Sequence, residues 1–184
     1  SQLIKREPKV AQHYGFRAQL YRLNNDMRRA RKDYEKVIAL EPDSSLGANG
    51  MAEVSLQAGD MDEARKWGAL AYKTAPKDWV AAYNYGMILE RRAEDDLAIQ
   101  HLKTALGLRI PDSRHRLLTR LWLARAYHRQ GKTALAEEMA EELRMEKKGL
   151  KEWGIILESE EAKGLRQLLQ EDVRLAGDLV NGSA

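Results

Sequence analysis

The feature that most constrains this chain is a pattern that returns every 34 residues. Ala18, Ala52 and Gly86 stand 34 apart, as do Ala30, Ala64 and Ala98, then Val37, Ala71 and Ala105. Pro42, Pro76 and the Ile110–Pro111 pair punctuate the chain at the same interval. Between these points apolar residues recur with helical spacing, and no alternating stretch long enough for a strand occurs. Small residues let two helices approach closely, and larger groups such as Leu89 and Leu102 fill the space around them. Self-similarity at this period specifies an all-α fold, a solenoid of stacked helix hairpins. The prolines fall where helices must stop, because the ring removes a donor and collides with the preceding turn.

Taken in order, the first unit predicts a helix over 10–23, with Tyr14, Ala18 and Tyr21 on its packed face. Asn24, Asn25 and Asp26 form the turn and cap a second helix over 27–40 that buries Ala30, Tyr34 and Val37. The second unit starts near Ser45 and turns at Gly59–Asp60, and the third starts at Trp79. Gly47, Gly50 and Gly68 lie inside predicted helices, where close helix contact explains them. Twelve residues separate Ala18 from Ala30, Ala52 from Ala64, Gly86 from Ala98 and Ala124 from Ala136. Ala136 follows Ala98 by 38 residues, so four have been added around Pro111. Four residues is nearly one helical turn, so the fourth unit should open with a longer helix over 113–130, capped by Asp112 or Ser113. Its second helix is expected over 133–147. Beyond Leu150 the pattern lapses, and Glu158 stands where a fifth unit would want a small residue. A short helix over 150–157 and a longer one over 160–179 are expected there. The latter carries an apolar stripe of Leu165, Leu168, Leu169, Val173, Ala176 and Val180, as a terminal cap requires.

The series Tyr14, Ala18, Tyr21, Ala30, Tyr34, Val37, Pro42 resembles the tetratricopeptide repeat, and the units at Ala52 and Gly86 resemble it nearly as well. Ser55, Gly68 and Ala93 depart from the usual pattern. The resemblance implies a right-handed α-solenoid with a C-terminal capping helix. It divides the chain into a polar lead-in (1–9), four repeats (11–44, 45–78, 79–112 and 113–147, within 10–147), a helical cap (148–180) and a frayed end (181–184). It also implies a non-enzymatic protein–protein interaction module, a scaffold or adaptor whose first helices line a concave groove for a peptide or protein segment. The groove positions are Gln19, Arg22, Asn49, Glu53, Tyr83, Asn84, Met87, Trp122, Arg125, His128 and Arg129. Tyr83, Met87 and Trp122 are expected to be exposed there as contacts. Asn84 stands where the family often grips a peptide backbone through its paired donor and acceptor. The family's clamp for chaperone C-termini is absent, since neither alignment of its five positions retains a cation.

From Arg109 to Arg129 there are six arginines against one acidic residue, Asp112, so an acidic partner is expected at this end. Arg125 and Arg129 are four apart and share a helix face. Nucleic acid is not favoured: cations are also frequent in the first 36 residues, but stacking aromatics are not interleaved with them. A self-associating scaffold or homo-oligomer is the alternative to a peptide binder. Net charge is +3 with 32% of residues charged, both signs interspersed. No cysteine excludes disulfides and thiol chemistry. No apolar run approaches the ~20 residues that span a bilayer, and no signal-peptide core begins the chain, so a cytoplasmic setting is expected. Gly131–Lys132–Thr133 has the end of a phosphate loop but lacks its earlier glycine and strand, and reads as a hairpin turn. His13, His101, His115 and His128 lack metal-ligand spacing, and His101 is expected to point outward. No metal, cofactor or catalytic group is expected.

Overall fold

The computed structural model describes residues 2–182; Ser1 of the expected lead-in, and Ser183 and Ala184 of the expected frayed end, lie outside the described residues. Among the described residues there are eleven α-helices, one 3-10 turn and no strand. A short helix α1 (Gln2–Arg6) occupies most of the lead-in. Four helix pairs follow: α2 (Ala11–Leu23) with α3 (Met27–Leu40), α4 (Ser45–Gln57) with α5 (Met61–Thr74), α6 (Trp79–Arg91) with α7 (Asp95–Gly107), and α8 (Ser113–Arg129) with α9 (Thr133–Arg144). They are succeeded by α10 (Lys147–Glu158), the 3-10 turn Glu160–Ala162 and α11 (Lys163–Asn181). Gly182 closes α11 in left-handed backbone at φ 70°.

Local chemistry accounts for these boundaries. Asp26, Ser44, Asp60, Asp78 and Asp112 each accept a hydrogen bond from a backbone N–H in the first turn of the helix they precede. The hairpin turns place Asn25, Gly59, Ala93 and Gly131 at positive φ, so the alanine that replaces a turn glycine adopts the same backbone as its glycine counterparts. Within the third pair Gly86 meets α7 so closely that a Cβ there would lie 2.8 Å from Leu102. The small residue and the large one therefore meet across the hairpin, as the 34-residue pattern requires.

The added turn before α8 is present, and Asp112 accepts from the His115 N–H at 3.1 Å. The end of the fourth pair differs from expectation. Helix α9 stops at Arg144 and α10 starts at Lys147, ahead of the expected Leu150. Its cause is tertiary: Glu146 is pinned by Arg116 at 2.7 Å and by Arg120 at 2.9 Å, which fixes the chain reversal there. Helix α10 then packs beside α8, with Trp153 Nε1 donating to the Arg114 carbonyl at 2.9 Å. Helix α11 packs on α8, α9 and α10, and it also touches α2 and α4. It therefore crosses the inner side of the array and reaches back to the first repeat.

The concave face and the helix that crosses it

The first helices of the pairs (α2, α4, α6 and α8) supply the inner wall, and a chain of polar contacts runs along it. Arg22 Nε lies 3.0 Å from a Glu53 oxygen, and Arg22 Nη1 donates to Gln57 at 3.1 Å. Asn84 Nδ2 donates to the other Glu53 oxygen at 3.0 Å, and Asn84 is only 3% exposed. The asparagine expected to hold a peptide backbone is thus tied to its own neighbour. Asn49 sits in a different state: it is buried, yet its Oδ1 accepts no hydrogen bond among the described residues. Asn49 also lines a recess of about 370 Å3 whose walls include Gln12, Phe16, Gln19, Leu46 and Val80, with the Oδ1 itself closed off beneath that surface. Phe16 is 66% exposed and Leu20, four residues on, 60%.

A larger cavity of about 580 Å3 lies further along, between α6 and the pair α10–α11. It shares Gln19, Glu53 and Val80 with the first recess, so the two adjoin as one trough. Its far end is aromatic. His115 lies among Trp79, Tyr83 and Trp153, with ring centroids 5.2, 5.0 and 6.0 Å away. Asp112 holds the imidazole through Nδ1 at 2.8 Å.

Tyr83, Met87 and Trp122, expected to be exposed, are buried. Trp122 is fully enclosed, with its ring 5.1 Å from that of Tyr83. The reason is that α10 and α11 lie over this part of the wall. His101, expected to point outward, is also buried, its ring 4.4 Å from Tyr72 and 4.7 Å from Tyr85. Burial among these rings lowers its pKa.

At the α8 end the arginines are already matched. Asp172 of α11, 3% exposed, accepts from Arg91 at 2.6 Å and from Arg125 at 2.7 Å. Arg91 also donates to the Leu168 carbonyl at 3.2 Å. Glu90, 1% exposed, faces Arg125 at 3.2 Å and Arg129 at 2.8 Å, and Arg129 continues to Asp95 at 2.6 Å. Carboxylates and guanidiniums thus alternate along this wall, and the two carboxylates beside Arg129 raise its pKa further. His128 is exposed beyond this chain of charges. The candidate residues therefore divide in two. Gln19, Arg22, Asn49, Glu53, Tyr83, Asn84 and Met87 border the trough, whereas Arg125 is engaged by α11 and Arg129 by Glu90 and Asp95. Asp172, Arg91, Phe16 and Leu20 were not among the expected residues. The available signal for Asp172 was an acid set inside the apolar stripe of its helix, between Leu169 and Val173.

Among the described residues no group of three or more metal-ligating side chains is gathered, and no helix is long and apolar enough to cross a membrane. The tetratricopeptide repeat family profile matches residues 17–79. No curated protein matches the chain by sequence. By structure it is similar to PilF of Pseudomonas aeruginosa, at 18% identity and TM-score 0.69 over 95% of this chain and 76% of that one. It is also similar to YrrB, a TPR protein with an unusual peptide-binding site, at 17% identity and TM-score 0.63 over 99% and 95%. MamA matches at 15% identity and TM-score 0.60 over 82% and 80%. At these identities the likeness is one of fold.

Proposed function

We propose, from the premise that this chain is a tetratricopeptide repeat protein, that it is a non-enzymatic module holding a segment of a partner protein in the open trough of its concave face. Repeat proteins of this kind serve protein–protein interaction in general. The observation that carries it is the recess lined by exposed Phe16 and by Asn49, a buried side chain whose Oδ1 lacks a donor; exposed Leu20 follows one helical turn after Phe16. Buried acceptors are normally satisfied, so a small turn of the Asn49 side chain towards the recess would offer this one to a ligand N–H. The apolar pair on α2 supplies contact area beside it. At the aromatic end, Trp79, Tyr83 and Trp153 suit a bulky apolar or aromatic side chain of the same segment. Asn84 then acts through Glu53, by fixing the carboxylate that forms the trough floor.

Charge does not select the segment in this half. Arg22 is paired with Glu53, and Arg114 lies within 3.7 Å of both Asp112 and Glu152. The acidic preference expected from the arginines belongs to the α8 end, where Asp172 already meets it. Panning a displayed peptide library on the full chain tests the proposal. Peptides rich in aromatic or large apolar residues should be selected, and Asn49→Ala should weaken them about fivefold or more, the value of one lost hydrogen bond. Selected peptides indifferent to both Asn49→Ala and Phe16→Ala would overturn it. Self-association through Phe16 and Leu20 is the competing reading, and a mass in solution that rises with concentration and reverts in Phe16→Ala would favour it.

A further inference from the structure

A helix that only capped the array would need to cover the last repeat. Helix α11 does more, for it runs across the concave face between α2 and α8 and also packs on α9. Its first turn approaches the first repeat at Gly164, where an added Cβ would lie 2.5 Å from Gln57 Nε2 and closer still to the Arg22 carbonyl oxygen. Its middle is held by Asp172 between arginines of two different inner helices, α6 and α8. Its last turn meets α9, where Arg144 Nε donates to the Leu179 carbonyl at 3.3 Å. Leu169, Val173 and Ala176 are buried along the same stripe. This is how a helical ligand lies in a groove, with apolar anchors one turn apart and a charge that sets its register.

The seat differs from a permanent core in two respects. Beside α11 the 580 Å3 cavity stays open, with Leu165 and Leu168 on its wall, whereas a core helix packs with few voids larger than a water molecule. The central contact is ionic, and its arginines keep 22% and 35% of their side-chain surface, so both re-solvate when the helix leaves. Leu169, Val173 and Ala176 belong to the main core, so a departing α11 also uncovers an apolar stripe that an incoming helix must cover again.

We infer that the α8 end of the concave face is a second binding surface, adjoining the trough along α11, whose ligand is an amphipathic helix of a partner protein carrying one acidic residue inside its apolar stripe. Helix α11 is the built-in occupant that such a partner must displace. The recognition pattern is written in α11 itself: apolar residues four and three places before the acid (Leu168, Leu169) and one and four places after it (Val173, Ala176). The acid is required because the wall presents Arg91 and Arg125 together, and an uncharged helix would leave both without a counter-charge. Tethered through the turn at 160–162, α11 competes at the millimolar effective concentration of a short link. A free helix at micromolar concentration therefore enters only when α11 is weakened.

The test uses the full chain and a labelled synthetic peptide of residues 160–182 as the stand-in ligand. Gly164→Leu drives a side chain into the Arg22 and Gln57 contact and should release α11, seen as faster amide exchange over residues 163–181 while α2 to α9 stay helical. That variant should bind the peptide at least about tenfold more tightly than the wild-type chain, the ratio expected when an intramolecular competitor is removed. The same peptide carrying Asp172→Asn should lose about tenfold on the variant, equivalent to one charge-assisted hydrogen bond. Asp172→Asn in the full chain provides a second release that adds no bulk. Three results would overturn the inference: α11 released without peptide binding, peptide binding indifferent to the acid, or whole-array unfolding in both variants, which would make α11 part of the core. A dimer of the Gly164→Leu chain that grows with concentration and excludes the peptide assigns the seat to a second copy and equally overturns it. Leu165 and Leu168 of α11 also wall the trough, so peptides selected through Asn49 are measured on the wild-type chain, where α11 stays seated, and either site can fail alone.

Discussion

At the scale of single residues, the ion pairs that join successive repeats differ in how far they bind their carboxylates. Glu63 is the extreme case. Arg31 of the first repeat meets it with both terminal guanidinium nitrogens, at 2.8 and 2.6 Å, and Ser55 donates to it at 2.8 Å. Chiefly through Arg31, and then Ser55, its pKa falls from 4.5 to about 2 against the opposing effect of burial. A carboxylate with a depressed folded pKa stabilises fully above its unfolded value, and that contribution disappears as pH falls from about 5 towards 2. The Glu63 side chain keeps 31% of its surface, so solvent screening reduces the contribution to about 1 kcal/mol. Glu63→Gln should therefore be less stable than the wild type at pH 7 by about that amount and equally stable near pH 2. Urea midpoints at both values check this; an undiminished difference at pH 2 would assign the effect to packing. Ser55 had stood out in the sequence as a departure from the repeat pattern, and this hydrogen bond gives it a role.

At the scale of elements, the added turn of α8 was legible because it rests on local chemistry. Asp112 caps the helix, accepting from the His115 backbone and holding the His115 ring as well. Asp112→Ala should lower the thermal midpoint, with a loss of about 1–2 kcal/mol for cap and ring contact together. Asp112→Asn, which keeps the cap but not the charge, should restore more than half of it. The start of α10 was illegible for the opposite reason, since the break at Met145–Glu146 depends on Arg116 and Arg120 reaching Glu146 from another helix. The concave wall was legible only in part. Position in the repeat assigns Asn49, Glu53 and Asn84 to the inner side, but burial there depends on what lies above. Periodicity gave α11 its apolar stripe without saying which surface the stripe would meet, so Trp122 and Met87 were expected in the open and lie instead beneath the chain's own terminal helices.

For the molecule as a whole, α11 changes what kind of object the array is. Helix pairs that touch only their neighbours unfold nearly independently, and the ends open first. Here one helix packs closely on the first repeat at Gly164 and bonds to the third and fourth at Asp172 and to α9 at Leu179. The ends of the array are thereby tied to its middle by contacts between residues more than 100 apart, such as Gly164 with Arg22. Loosening α11 should consequently be felt at a distance. In the wild-type chain, slowly exchanging amides of α2 and α6 should report similar opening free energies under mild denaturant. In Gly164→Leu the α2 amides should exchange at least about tenfold faster, while those of α6, which loses its Asp172 contact but stays enclosed by α4, α7 and α8, change less, because α2 lies at the end of the array. Native-state hydrogen exchange measures this directly. Equal acceleration in α2 and α6 would mean that α11 stabilises the array globally, and no acceleration in α2 would mean that the contact at Gly164 carries no strength.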